Sequence, residues 1–593
     1  MSSPLEALRQ LMAEREIDAC LIPTADYHNS EYVGDHFACR AYLSGFTGSA
    51  GTLLVFSNWA GLWTDGRYFL QAERQLAGSG IRLMKSGEAG VPTVEEFLRA
   101  GLRAGQTLAF DSRCVTARTG RRYYALARQK GARIADREDL VDQIWLDRPP
   151  RSHAPVWELP LEYTGESRPS KLARVRAAMA KERAGVHLLT SLEDIAWLLN
   201  LRGEDVTCTP VFLAYLALDQ AGGILFADPA AFSPGLRDAL GADGIRLQPY
   251  DGVYAYANRL RREQTVLLDP DRVNARLLTS IPTGVKVIEG PDPTIAMKAV
   301  KNPTEQENFR RAHLDDGVAL TRFMYWLKTG AGKRPMTERS AADHLEDLRR
   351  ASPDYLQPSF EPILAFGEHG AVVHYAATAE TDAAITAQGF LLADTGGHYR
   401  TGTTDCTRTY ALGALTPDQR RHYTAVLRGN LALAAARFKA GCTGRNLDYL
   451  ARGPLWELGL DYNHGTGHGV GYLLSVHEGP QSIRWRALEE REAALTPGMV
   501  TSDEPGVYFA GAYGIRLENL MLCVEAEQTD YGRFLAFETL TLTPFDLDAI
   551  DPEAMSPTER AQLNAYHARV RAAVAPHLPP EEAAWLETAT RPI

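Results

Sequence analysis

Among the residues from 394 to 518, Asp394, Asp405, Glu504 and Glu518, with His464 and His468, each stand at the end of an apolar or glycine-punctuated stretch. Phe390-Leu391-Leu392-Ala393-Asp394 reads as a strand ending in a carboxylate. A turn rich in Gly396, Gly397 and Gly402 then leads to Thr404-Asp405-Cys406-Thr407-Arg408-Thr409, a hairpin with an Asp on each side. Met499 to Glu504, a glycine-containing loop and Ile515-Arg516-Leu517-Glu518 repeat the arrangement with Glu. In the second of those strands Arg516, Glu518, Leu520 and Leu522 share a face, which sets a carboxylate beside leucines that belong inside. A single Asp of this kind is more often a turn or cap residue. Four carboxylates from two hairpins repel one another strongly without cations, and an isolated buried carboxylate is costly. Oxygen-rich ligation with one His suits Mn²⁺, Co²⁺ or Zn²⁺, and two bridging carboxylates would support two metals about 3.5 to 4 Å apart. Water bridging two such ions loses a proton near neutral pH, which predicts a hydroxide nucleophile for hydrolysis.

The histidines need separate weighing. His464-Gly465-Thr466-Gly467-His468-Gly469-Val470-Gly471 has Gly at every second position, so backbone or ligand can approach it closely. In an extended chain the two imidazoles stand about 13 Å apart at roughly 3.3 Å per residue. The economical assignment makes one a ligand and the other a substrate or supporting contact. A zincin His-Glu-x-x-His helix is absent. His374 and His477, each on an apolar strand-like stretch, read singly as satisfied core histidines. The glycines from Gly45 to Gly51 lack the Gly-Lys-[Ser/Thr] end of a phosphate loop, and no Gly-x-Ser-x-Gly or nucleophilic Cys constellation stands out.

The rest of the 593 residues must position these groups, and a chain this long exceeds one core. The first block, residues 1–148, alternates helix and strand and ends in a Pro-rich linker. In it, Trp63-Thr64-Asp65-Gly66-Arg67 reads as strand, turn and helix start, with Asp65 available as a cap. A second α/β block, 149–297, has a similar order, and Leu225-Phe226-Ala227-Asp228 echoes Leu62-Trp63-Thr64-Asp65, which suggests a duplication. The third block, 298–544, opens with a helix after Asn302-Pro303-Thr304-Glu305. Two short helices in 545–593 make a core too small to stand alone and are expected to pack back.

A composition of 45% hydrophobic and 23% charged residues is that of a soluble globular protein. The net charge of -11 argues against nucleic acid or an anionic membrane surface as the main partner. No run of about 18 apolar residues offers a membrane span. Seven scattered cysteines, with no Cys-x-x-Cys pair, fit a reducing compartment.

At these residues the chain resembles the aminopeptidase P family, Xaa-Pro aminopeptidases with a pita-bread metallopeptidase domain, in the long three-domain cytosolic form. The likeness runs over nearly the whole chain, through Tyr42 to Gly51, Trp63 to Phe69, Met297-Lys298-Ala299-Val300-Lys301-Asn302, His464 to Gly471, Asp503-Glu504-Pro505-Gly506 and Gly514 to Asn519. It implies two creatinase-like N-terminal α/β domains, a pita-bread catalytic domain and a short C-terminal helical extension, of mixed α/β and α+β class. It further implies that Asp394, Asp405, His468, Glu504 and Glu518 ligate two metals, commonly Mn²⁺, with Asp405 and Glu518 bridging. His374, His464 and His477 match substrate-binding and proton-handling histidines, Glu504 a proton shuttle, and Arg67 and Arg516 substrate-site residues. Thr395 stands where Ser is more usual and Ser502 where Thr is frequent, and neither removes a ligand. The implied activity is metal-dependent release of the first residue from peptides with proline second, by a cytoplasmic homodimer joined through the third domain. The alternatives are a prolidase limited to Xaa-Pro dipeptides, disfavoured by the extra domain and tail, and a binding-only pita-bread protein, which would usually have lost the ligand set.

Overall fold

The computed structural model describes residues 3–486 and 492–593. The chain divides into one unit made of Met1–Leu159 with Glu166–Ile295 and a second made of Pro160–Gly165 with Ala296–Ile593.

The first unit holds two six-stranded sheets with the same connectivity. Across one lie Arg82–Lys85, Ala60–Thr64, Thr52–Phe56, Ala19–Pro23, Thr107–Ala109 and Arg133–Ala135. Across the other lie Ile245–Gln248, Gly223–Phe226, Tyr215–Asp219, Val186–Leu189, Thr265–Leu268 and Lys286–Glu289. In both, three consecutive strands run antiparallel, and further strands are added in parallel at either side. The parallel additions require crossovers, which helices such as Ala117–Lys130 and Pro234–Ala242 supply.

The echoed tetrapeptides close equivalent strands, and a longer repeat becomes visible with the structure in hand. Asp111-Ser112-Arg113-Cys114-Val115-Thr116-Ala117-Arg118 and Asp269-Pro270-Asp271-Arg272-Val273-Asn274-Ala275-Arg276 occupy matching places. Thr116 and Asn274 each cap the helix that follows. They also face each other, with Ala117 N donating to Val273 O at 2.7 Å and Ala275 N donating to Val115 O at 2.9 Å. Equivalent residues of the two repeats thus exchange hydrogen bonds reciprocally, as in a two-fold contact.

One local expectation is corrected. The helix Phe69–Gln75 has Tyr68 at its N-cap and no side-chain cap. Asp65 instead accepts from Arg67, through the backbone N at 3.1 Å and from two guanidinium nitrogens at 2.8 Å each. A bidentate carboxylate–guanidinium pair outcompetes a single capping bond.

In the second unit the long helix Pro303–Gly330 starts in a capping box between Asn302 and Glu305. A three-stranded antiparallel sheet, Ile363–Phe366, Phe390–Thr395 and Cys406–Ala411, and a four-stranded one, Arg437–Lys439, Gly532–Thr539, Asn519–Thr529 and Val500–Asp503, hold the acidic residues. Helices Pro417–Ala434 and Asp448–Trp456 pack on each other beside them. The tail forms helices Pro557–Val574 and Pro580–Ala589. Val570, Val574 and Leu586 are fully buried against Leu314 and Val318 of the long helix, each contributing about 1.5–3 kcal/mol of transfer free energy.

Arg408 joins these parts. It is 1% exposed, and its guanidinium donates to the carbonyls of Pro544 (3.0 Å), Thr543 (2.7 Å), Thr407 (2.9 Å) and Glu518 (2.5 Å), and to Asn519 Oδ1 (2.8 Å). Four of these acceptors are backbone groups that water does not reach, and an unsatisfied buried acceptor costs about 1–3 kcal/mol. Arg408→Met is therefore expected to destabilise the second unit by at least about 3 kcal/mol, read as a lowered urea midpoint, and Arg408→Lys is expected to recover little of it because an ammonium lacks the fork of donors.

Candidate metal centre

Asp394 stands near the end of its strand opposite Thr407, and Asp405 immediately precedes the paired strand, so antiparallel register brings both to one end of the ladder. The Glu pair arises differently from the expectation. Residues 515–523 are not one strand. Tyr513–Arg516 pairs with Gly506–Phe509, Asn519–Thr529 pairs with Val500–Asp503, and the chain changes partner between them. Glu518 sits at that break, which turns it inward with 2% exposure. Its backbone N donates to Thr407 O at 3.0 Å, and Thr407 Oγ1 donates to its carboxylate at 2.7 Å. Glu504 follows its own strand, held by a bond from its N to Thr466 O at 2.8 Å.

The glycine run delivers the histidines. Gly467–His468 forms a two-residue ladder with Ser482–Ile483. A Cβ at Gly467 would lie 2.0 Å from Ser502 O, and one at Gly469 would lie 2.1 Å from Glu478 O. Only glycine admits those backbones. His468 Nδ1 lies 3.0 Å from Gly469 O, a bond that makes Nδ1 the donor and leaves Nε2 with its lone pair. Nε2 is 3.5 Å from Asp405 Oδ2 and 3.6 Å from Glu504 Oε1. His464 Nδ1 lies 2.8 Å from Gly465 O and 4.0 Å from Glu504 Oε2, and its Nε2 is 2.8 Å from Tyr508 Oη. Both histidines of the run therefore reach Glu504, one at each oxygen.

Among the described residues, three groups of His, Asp and Glu side chains have ligand atoms all within 4.8 Å of one another: Asp394, Asp405 and Glu518; His468, Glu504 and Glu518; and Asp405, His468 and His477. The five acidic and imidazole candidates fall in these groups, with Asp405, Glu518 and His468 each shared by two. His477 joins through its ring, which meets His468 edge-on at 4.4 Å. His374 is outside them, on the half-buried segment after the turn Gly367–Ala371. Arg516 spans the site, bonding Asp394 Oδ2 at 2.5 Å, Tyr508 Oη at 2.7 Å and Val373 O at 3.3 Å. Arg67 belongs to the first unit, beside an open polar cleft that it lines with Asp65, Ser49 and Glu31.

Electrostatics fit a cation site. Burial pushes the carboxyls of Asp394, Glu504 and Glu518 up, and their neighbouring carboxylates push them further, while Arg516 pulls Asp394 and Glu504 back down. Asp394 Oδ1 is buried without a hydrogen-bond partner among the described residues, a state that a bound cation would relieve. The donor set of four carboxylates and imidazole matches Mn²⁺, Co²⁺ or Zn²⁺. Sequence reasoning overlooked Thr407 and Tyr508. For Thr407 a signal existed, since the alternation Asp405, Thr407, Thr409 puts two hydroxyls on the ligand's face. Nothing local marks Tyr508.

Known proteins align with this arrangement. The model of metallopeptidase family M24 matches residues 307–525, creatinase/prolidase N-terminal domain models match 4–144 and 147–305, and a C-terminal region of the same peptidase family matches 533–593. A probable Xaa-Pro aminopeptidase P of Coprinopsis cinerea is 37% identical over all of this chain and 98% of its own length. Aminopeptidase P1 of Arabidopsis thaliana is 36% identical over 100% and 99%. The crystal structure of an X-prolyl aminopeptidase from Caenorhabditis elegans, described as a cytosolic enzyme with a di-nuclear active site, superposes with a TM-score of 0.95 at 34% identity, covering all of both chains. The two α/β repeats, the acidic core and the helical tail are accordingly those of creatinase-type N-terminal domains, a pita-bread domain and its C-terminal extension, and the chain belongs to metallopeptidase family M24.

Proposed function

We infer that the chain is a metal-dependent aminopeptidase that hydrolyses the N-terminal Xaa-Pro bond, releasing the first residue from peptides with proline second. The observation that carries this is the convergence of four carboxylates and His468 in one buried pit. Together with the full-length likeness to Xaa-Pro aminopeptidases, it favours hydrolysis of that bond over mere binding.

Asp394, Asp405, His468, Glu504 and Glu518 would hold two divalent ions, with Mn²⁺ the proposed metal. Such ions, when bound, would acidify a bound water into a nucleophile and polarise the scissile carbonyl. Glu504, within 4.0 Å of both His464 and His468, takes the proton from the attacking water and passes it to the departing proline nitrogen. Of His374 and His464, His374 is assigned as donor to the oxygen on which charge develops, because both ring nitrogens of His464 are engaged, by Gly465 O and Tyr508 Oη. His477 and Arg516 line the substrate's path, and Arg67 is assigned a contact with the peptide. Proline in second place calls for a dedicated subsite because its ring removes the amide donor and restricts the preceding residue. A homodimer through the catalytic domain is supported by Tyr449, Trp456 and Trp485, exposed by 62%, 40% and 43% and in successive ring contact at 5.8 and 6.3 Å. A cytoplasmic setting is supported by seven cysteines without a disulfide.

Purified protein loaded with Mn²⁺ is expected to release the first residue from an Xaa-Pro-Xaa tripeptide, and Asp405→Ala or Glu518→Ala to lose both the bound metal and the activity. Cleavage of Xaa-Pro dipeptides alone would make it a prolidase.

The raised carboxyls also set a pH dependence. Asp394, Glu504 and Glu518 hold protons in the folded metal-free protein where unfolded carboxyls have lost theirs, so the native state binds more protons and stability falls as pH rises from about 4.5 through the raised values. Cations replace those protons. Melting metal-free and Mn²⁺-saturated protein at about pH 5.5 and about pH 8 should show a metal-induced stabilisation larger at the higher pH.

Sedimentation of the wild type is expected to give a dimer at micromolar concentration, and Trp456→Glu a monomer.

A further inference from the structure

We propose that Glu338 is the positioning residue for His374. Glu338 opens the helix Glu338–Arg349, behind the cap Thr337, and is completely buried. Its Oε1 accepts from Phe366 N at 2.7 Å and His369 Nδ1 at 2.8 Å, and its Oε2 from Tyr375 Oη at 2.8 Å and Ala383 N at 3.0 Å. Four donors fill the acceptor capacity of a carboxylate, and all four come from residues 366–383, the segment that carries His374. Glu338 N closes the same segment by donating to Ala383 O at 3.1 Å. Tyr375, next to His374, stacks on His369 with ring centroids 4.4 Å apart. From the site side, Arg516 holds Val373 O. Val373 and Tyr375, the two neighbours of His374, are thus tied down independently, one by Arg516 and the other by Glu338.

A carboxylate at a helix N-terminus is favoured by the helix dipole, which explains how a charge can be kept there. It does not explain why every donor comes from a single segment. Stability alone could be served by an apolar side chain of the same volume, whereas a carboxylate with four bonds fixes the segment's path, and a displacement of about 1 Å at a reacting group can cost on the order of 100-fold in rate. Glu338 touches neither the acidic cluster nor any of its assigned ligands in the bonds it makes, and it acts only through this segment.

The proposal rests on the aminopeptidase reading of His374, and the test separates the two. Metal-loaded wild type, Glu338→Gln, Glu338→Ala, His374→Ala and the double variant His374→Ala/Glu338→Ala are compared for tripeptide cleavage, bound metal and hydrogen exchange of residues 367–383. Glu338→Ala is expected to lower kcat/KM by about 30- to 100-fold, with metal content unchanged and exchange in 367–383 accelerated relative to 390–411. Glu338→Gln should lose less, since it keeps Oε1 and misplaces donors only towards Ala383 N. The double variant should be no worse than His374→Ala alone, because both changes act through one group. Losses that multiply, or full activity in Glu338→Ala, would overturn the proposal. Should Glu338→Ala fail to fold, Tyr375→Phe, which deletes one donor, takes its place in the same comparison. A wild type inactive on the tripeptide would overturn the aminopeptidase reading instead. Glu338 is then judged by exchange, and unchanged protection of 367–383 in its variants would refute it.

Discussion

Crowding of like charge is the constraint on which the second unit depends. Asp394, Asp405, Glu504 and Glu518 converge in a space from which water is largely excluded, where mutual repulsion and lost hydration both oppose ionisation. The surrounding structure divides the compensation. Arg516 neutralises Asp394, Thr407 hydrates Glu518 in place of water, and Ser502 lies within 3.4 Å of Glu504. What remains uncompensated among the described residues includes Asp394 Oδ1. On the metal-site reading proposed above, the protein satisfies the outer lone pairs of its carboxylates and leaves the inner ones to a cation, which is how a metal site differs from an ion-pair network.

Much of this was legible because it is local. An apolar strand ending in Asp, a hairpin ending in Glu and a glycine-alternating run each announce themselves within one short contiguous stretch. The two repeats of the first unit were faintly visible in Leu62 to Asp65 and Leu225 to Asp228, although the better signal, Val115-Thr116-Ala117-Arg118 against Val273-Asn274-Ala275-Arg276, lay in loop-to-helix transitions where hydrophobic periodicity has nothing to report. The break at Leu517-Glu518 was illegible for a related reason. Alternation continues through it, and the change of pairing partner is decided by distant strands. Asp65 departs from the local rule for caps because Arg67, two residues on, offers a stronger partner.

Residues that act over long sequence separation were beyond reach by construction. Arg408 collects carbonyls from 407, 518, 543 and 544, and Glu338 collects donors from 366 to 383. In sequence each is an ordinary charged residue, one in a strand and one at a helix start. Burial changes their meaning. A charge that would be solvated on a surface must, inside, be surrounded by partners, so it becomes the place where separate segments are forced into fixed relation.

The two histidines of the glycine run show how little separates a proposed ligand from its neighbour. Each is followed by Gly, and each places its Nδ1 near the carbonyl of that Gly, at 2.8 Å for His464 and 3.0 Å for His468. The backbone therefore imposes the same tautomer on both and presents Nε2 from both as the acceptor. What differs is only what Nε2 meets. For His468 it is the gap between Asp405 and Glu504, whose nearest carboxyl oxygens stand 3.5 and 3.6 Å away. For His464 it is the hydroxyl of Tyr508, which takes a bond from Arg516 and so gives its own proton to the imidazole. The one nitrogen faces the space proposed for a metal and the other is already bonded, a division made by the facing strand Gly506–Phe509 rather than by anything within His464 to Gly471.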